Sequence, residues 1–159
     1  MKHVVFVAPY LGYTMIQALQ AFASLEGVRL GLISHQPEEA IPAPLRDAVK
    51  GHYKVSNVLD AEELTAAIHK FQKEWGRVDR VVGYLENLQT QLAEARTVLR
   101  IEGMKREAAL NFRDKNRMKQ VLRDAGLPVA RQARIHSAAE ARSFIGEVGY
   151  PIVLKPLAG

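Results

Sequence analysis

Two lysines stand where a charge needs a reason. Lys155 follows the apolar run Ile152-Val153-Leu154 and precedes Pro156 and Gly159. An ammonium group at the end of a buried strand, beside a turn, is where a nucleotide phosphate would meet it, because burying such a charge without a partner is costly. The competing reading is a strand that has reached solvent. Lys115 falls in the first turn of a helical pattern whose apolar stripe is Met118, Val121, Leu122 and Ala125. It projects from the inner or border face of that stripe, whereas Arg117, Lys119 and Arg123 are expected to point outward. A cation in a first turn opposes the helix macrodipole at a cost of about 0.3–1 kcal/mol. Its competing reading is a lysine snorkelling at the rim of a core. Glu86, closing the apolar run Val78–Leu85, is the third group of interest. A carboxylate there can face a ligand or begin a helix.

The elements that must carry these residues follow from spacing. Residues 2–8 are apolar and β-branched, as in a buried strand. Thr14-x-x-Gln17 has a capping-box pattern, with Ile16, Leu19, Phe22 and Ala23 on one helical face before Gly27. Val28–Ser34 predicts a second strand. Three prolines, Pro37, Pro42 and Pro44, keep 36–46 largely in a loop. A short helix from about Pro44 to Lys50 and a weak extended stretch at 53–55 are expected next. Asp60-Ala-Glu-Glu63 opens an amphipathic helix through Leu64, Ala67, Ile68, Phe71 and Trp75, closed by Gly76. The strand at 78–85 and a helix over 88–99 complete an alternation that predicts a doubly wound, mostly parallel α/β domain. Ligands of such sheets bind at the carboxyl ends of strands, which marks Pro9–Tyr13, Ser34–His35 and Glu86–Asn87 as a candidate edge. The first βα turn, Ala8–Tyr13, lacks G-x-G-x-x-G, so it is not a dinucleotide fingerprint. Beyond it a basic helical stretch runs from about Glu102 to Ala125. A strand (130–135), a helix opened by Ser137-x-x-Glu140 and a last strand (151–155) follow.

Composition narrows the function classes. Of 159 residues, 48% are hydrophobic and 25% charged, the balance of a globular domain. Cysteine is absent, and the five histidines show no ligand spacing, so a thiolate or histidine metal site is not expected. No segment approaches the ~20 apolar residues that span a bilayer, and the amino terminus is too short in apolar residues for a signal peptide. The expectation is a cytoplasmic protein without a membrane partner. Residues 100–134 hold ten Lys/Arg against four acids, a local +6 in a chain of net charge +5. That suits a phosphate-binding surface or a helix face covered by an acidic partner. Only Phe112 interleaves with those charges, so nucleic-acid binding is disfavoured.

Gly149-Tyr150-Pro151-Ile152-Val153-Leu154-Lys155-Pro156, joined to Arg113-Asp114-Lys115 and Ala125-Gly126-Leu127-Pro128 upstream, resembles the entry into the ATP-grasp fold of biotin carboxylases, carbamoyl-phosphate synthetases and amino-acid ligases. The resemblance implies that Lys115 and Lys155 contact ATP phosphates. It also sets Glu86, in Gly83-Tyr84-Leu85-Glu86-Asn87, toward the substrate side. It covers 78–159 in motif and 1–77 only in order of elements. The domains it implies are a pre-ATP-grasp Rossmann-like domain (1–100), a helical hinge (101–128) and a truncated start of the ATP-grasp nucleotide-binding domain (129–159). ATP and Mg2+ are the implied cofactors, and the partners are small-molecule carboxylate and amine (or thiol) substrates, with homo-oligomers allowed. The glycine-rich loop after Lys155 reaches only Gly159, so this stretch is expected to bind ATP poorly and to be inactive alone. The alternative is a non-catalytic α/β metabolite- or nucleotide-binding module.

Overall fold

The computed structural model describes residues 1–156. The chain divides into two compact units, Met1–Ala109 and Leu110–Gly159, a division that falls within the expected hinge.

The first unit is built on four parallel strands, β1 (Lys2–Val7), β2 (Val28–Ser34), β3 (Val49–Lys54) and β4 (Arg80–Val82), in the order β3-β2-β1-β4. Register runs Val5 opposite Gly31 on one side and opposite Val81 on the other. Alternation along β1 sorts its side chains between two cores. Val4, Phe6 and Ala8 pack with Leu30 and Leu32 against α1 (Tyr13–Ala23) and α2 (Ala43–Arg46). Val5 and Val7 pack with Ile33 against α3 (Ala61–Trp75) and α4 (Gln89–Val98). Helices therefore cover both faces, as a doubly wound sheet requires.

The best-specified helix is α3. Asp60 caps it, accepting from the backbone N–H groups of Glu62 and Glu63 at 2.9 and 3.1 Å. Its five expected apolar positions are all buried, and Gly76 ends it at φ +77°. Glu63 does not complete a capping box. Its carboxylate accepts instead from the N–H groups of Ser56 and Asn57 at 2.7 and 2.8 Å, tying the preceding loop to the helix. Phe71 and Trp75 lie so close to the sheet that a Cβ at Gly31 would stand 2.8 Å from each. Glycine is needed there for the approach of two layers.

Several expected boundaries move. The helix expected over 44–50 ends at Arg46, and Val49–Lys54 is the strand β3, because Val49, His52 and Tyr53 find partners on β2. The capping pattern at Thr14 does not cap α1, which starts two residues earlier with Gly12 at the cap position. The strand expected over 78–85 pairs only at Arg80–Val82. Past it the Gln89 amide donates to the carbonyls of Gly83 and Leu85 at 2.8 and 3.0 Å, which gives those groups a side-chain partner in place of a ladder.

Around the second unit the expected basic helix is two helices, α5 (Arg106–Arg113) and α6 (Lys115–Asp124), broken where Asp114 turns extended and caps α6. α7 (Ala138–Val148) is capped by Ser137 and has Phe144, Ile145 and Val148 half-buried, as its spacing predicts. The strands expected over 130–135 and 151–155 are not paired into a ladder. A strand needs a neighbouring backbone, and a two-stranded element is marginal in water. No described residue of 110–156 is buried. Gly159 lies outside the described residues. Among those described, no helix is long and apolar enough to cross a membrane.

Candidate functional site

In the second unit the chain folds around a cleft of about 1070 Å³. Asp114 organises its rim, its carboxylate accepting from the N–H groups of Asn116 and Arg117 at 2.8 and 3.1 Å. Those two backbone bonds hold the Asp114 carboxyl below the usual carboxylate range, with Arg134 and Arg117 adding attraction. With the first turn of α6 pinned, half-buried Lys115 lines the cleft. Phe144 and Val148 of α7 and the segment 151–156 line it as well.

Lys155 lines the same cleft, and its side chain is exposed. It does not end a buried strand: Val153 and Leu154 before it are 79% and 72% exposed, because no second layer covers them in this unit. Lys119 corrects another expectation. It lines the cleft and donates through Nζ to the Ala130 carbonyl at 3.3 Å. The i, i+4 spacing from Lys115 puts the two on one helix face, a signal the apolar stripe had overridden. Arg131, Arg134 and His136 also line the space, Arg131 being paired with Glu147 at 3.5 Å.

Such a lining can gather a polyanion. Five Lys/Arg side chains and no carboxylate border the cleft among the described residues. No group of three His, Asp or Glu among them could hold a metal ion, and the cleft lining gives magnesium no carboxylate.

At the sheet's carboxyl edge in the first unit, two of the three expected stretches, Pro9–Tyr13 and Ser34–His35, come together. His35 donates its backbone N–H to the Pro9 carbonyl at 3.0 Å, and its ring meets Tyr10 edge-on at 5.2 Å. Fully buried Ser34 lies 2.9 Å from His52 Nε2, and burial lowers the His52 pKa against the raising pull of Glu38 and Glu39. Glu86 is exposed and lies in the single turn Glu86–Leu88, four residues past the end of β4. Its expected place at a strand end is corrected by the Gln89 clamp described above. On the expected Pro9–Tyr13 edge lies a crevice bordered by Tyr10, Tyr13 and, from outside the three named stretches, Tyr84. Their position at strand ends was the only signal in the sequence.

No family model matches the chain. It is 30% identical over 95 residues to an alanine–anticapsin ligase of Bacillus subtilis (strain 168), a match covering 60% of this chain and 20% of that protein. A carbamoyl phosphate synthase large chain of Methanothermobacter thermautotrophicus is 29% identical over 149 residues, which is 91% of this chain and 13% of the relative. Among solved structures, an L-amino acid ligase from Bacillus licheniformis superimposes with a TM-score of 0.72 at 19% identity, over 100% of this chain and 38% of that one. The chain thus spans a fifth or less of the length of these curated relatives.

Proposed function

We propose that the chain, which is related in sequence to ATP-grasp enzymes and shares the fold of an L-amino acid ligase, belongs to an ATP-dependent ligase that joins a carboxylate to an amine or thiol. In such a reaction a carboxylate oxygen takes the γ-phosphoryl group and ADP departs. The nucleophile then attacks the acyl carbon, loses its proton, and phosphate leaves with the C–O electron pair. The energetic demand is to hold several negative charges together where charge develops.

The supporting observation is that Lys115 and Lys155 border one cleft. In this reading they hold ATP phosphates, Asp114 keeps Lys115 oriented through the α6 cap, and Glu86 faces the substrate. Magnesium, when bound, would neutralise phosphate charge, but among the described residues the cleft offers it no carboxylate. The 159-residue chain therefore binds ATP weakly and does not turn it over alone. Titration of 15N-labelled chain with ATP should move the amide signals around Lys115 and Lys155 first, with half-saturation in the millimolar range. Micromolar affinity, or shifts confined to the first unit, would contradict the reading.

A further inference from the structure

Three tyrosines at one mouth of the first unit are left exposed by its packing. Tyr10, Tyr13 and Tyr84 are 66%, 77% and 46% exposed. They edge a crevice of about 330 Å³ whose other walls include Thr14, Met15 and Leu85. The crevice lies between the chain leaving β1 and the chain leaving β4. With strand order β3-β2-β1-β4, this is where the winding of the sheet reverses, the place at which open α/β sheets leave room for a ligand. Its volume is at the lower end of small-molecule pockets.

The rings are held, not loose. Tyr10 stands edge-on to His35 at 5.2 Å, and His35 Nε2 in turn accepts from the Val58 N–H at 2.9 Å. Tyr84 packs edge-on against buried Phe6 at 6.3 Å. The Tyr13 hydroxyl accepts from the Gln17 amide at 2.9 Å. The loop between them is fastened by the Leu11 N–H, which donates to the side-chain carbonyl of Gln36. Among the described residues, no charged side chain lines the crevice. A lining of ring faces and edges without a carboxylate complements another neutral ring, because aromatic pairs gain from edge-to-face and offset contact beyond area burial. A cation would gain from the same faces but would find no counter-charge in the lining itself.

We propose that this crevice binds a neutral aromatic ring of a small molecule. Taken with the ligase reading, on which this second statement rests, the ring belongs to one of the two substrates, which makes that substrate an aromatic amino acid or a close analogue.

The test uses the 159-residue chain with 13C-labelled tyrosine rings, titrated separately with L-phenylalanine amide, L-leucine amide and tetramethylammonium. Phenylalanine amide should shift the signals of Tyr10, Tyr13 and Tyr84 saturably, leaving Tyr53 and Tyr150 in place. Tyr84→Leu and Tyr13→Leu should each weaken binding roughly three- to tenfold, and Tyr13→Phe should retain it. The Tyr53 signal, set by its packing on Phe71, reports whether each variant is folded. If a variant is not, the three-ligand comparison on the unaltered chain decides. The proposal is overturned if no saturable shift occurs, if leucine amide binds within twofold, or if tetramethylammonium binds more tightly. Ring signals that move with protein concentration alone would mean a second copy covers the crevice, which also overturns it. An ATP titration of the same sample judges the ligase reading independently. Ring binding without any response near Lys115 and Lys155 leaves the crevice standing and sinks the ligase.

Discussion

One carbonyl, that of Val81 at the centre of β4, receives two hydrogen bonds from one guanidinium: Arg96 donates to it through Nε at 3.1 Å and Nη2 at 2.6 Å. Arg96 is buried, and burial lowers its pKa. Its third nitrogen reaches the Met104 carbonyl at 3.4 Å, while Lys105 donates to the carbonyl of Ile101 at 2.9 Å. A short edge strand of three paired residues is thereby tied to the end of α4 by a side chain. Replacing Arg96 by Met would keep most of the volume and strip both donors from the buried Val81 carbonyl. The expected loss is about 2–4 kcal/mol, read as a lower urea midpoint with an unchanged slope. A loss under about 0.5 kcal/mol would show that water replaces the guanidinium freely.

Gly31 offers a sharper test of packing. A methyl group there would meet Phe71 Cε1 and Trp75 Cη2 at 2.8 Å. Gly31→Ala should therefore destabilise the first unit by about 1–3 kcal/mol through overpacking. Phe71→Leu alone should cost a similar amount by leaving space. The double variant should lose clearly less than the two losses added, since each change relieves the other. Strict additivity in a double-mutant cycle would mean the sheet and α3 are not in the close contact described.

How far the sequence carried the fold depends on what each element rests on. α3 was legible because its cap, Asp60, its apolar spacing and its stop, Gly76, are all local. β4 was misjudged by a few residues because Gln89, from the following helix, satisfies the carbonyls that an extended strand would have offered. The segments 130–135 and 151–155 have strand-like composition, yet a ladder is a property of two backbones and no run of residues contains its partner. For the candidate site, Lys115 and Lys155 were named from a motif and do share a cleft. Lys119 was set outside because its face was judged from the apolar stripe, although its i, i+4 spacing from Lys115 was in plain view. The edge that holds Tyr10 and Tyr13 is legible from strand ends, but the grouping of their rings with Tyr84 is not, since exposed aromatic residues gain meaning only when the fold gathers them.

His52 gives the first unit a pH dependence with a definite sign. Its burial disfavours the charged imidazole, so its pKa in the folded chain lies below the ordinary value of 6.5. The unfolded chain takes up a proton first as pH falls. Stability is then complete above pH 6.5 and declines as pH drops from there through the lower folded-state pKa. Thermal melts should give a lower midpoint at pH 5.5 than at pH 7.5, and His52→Gln should flatten that part of the profile. A midpoint that rises on acidification, or a profile unaltered in His52→Gln, would reject burial of the neutral ring against Ser34 as the cause.

Charge substitutions in α6 separate a phosphate cleft from a general basic surface. Lys115 and Lys119 share the cleft, so neither alone distinguishes the two, whereas Arg117 does not line it and bonds through Nε to Asn111 at 2.6 Å. In a cleft built for phosphates, Lys115→Ala and Lys155→Ala should each weaken binding of inorganic tripolyphosphate about tenfold, the worth of a charge-assisted hydrogen bond. Arg117→Ala should change it by less than about twofold, as expected of a screened charge outside the contact. A surface that attracts polyanions by net charge would respond alike to all three, and its affinity for any duplex would fall steeply with salt. Calorimetric titration of the three variants at two ionic strengths decides between them: equal losses at Lys115, Arg117 and Lys155 would remove the two-lysine cleft from consideration.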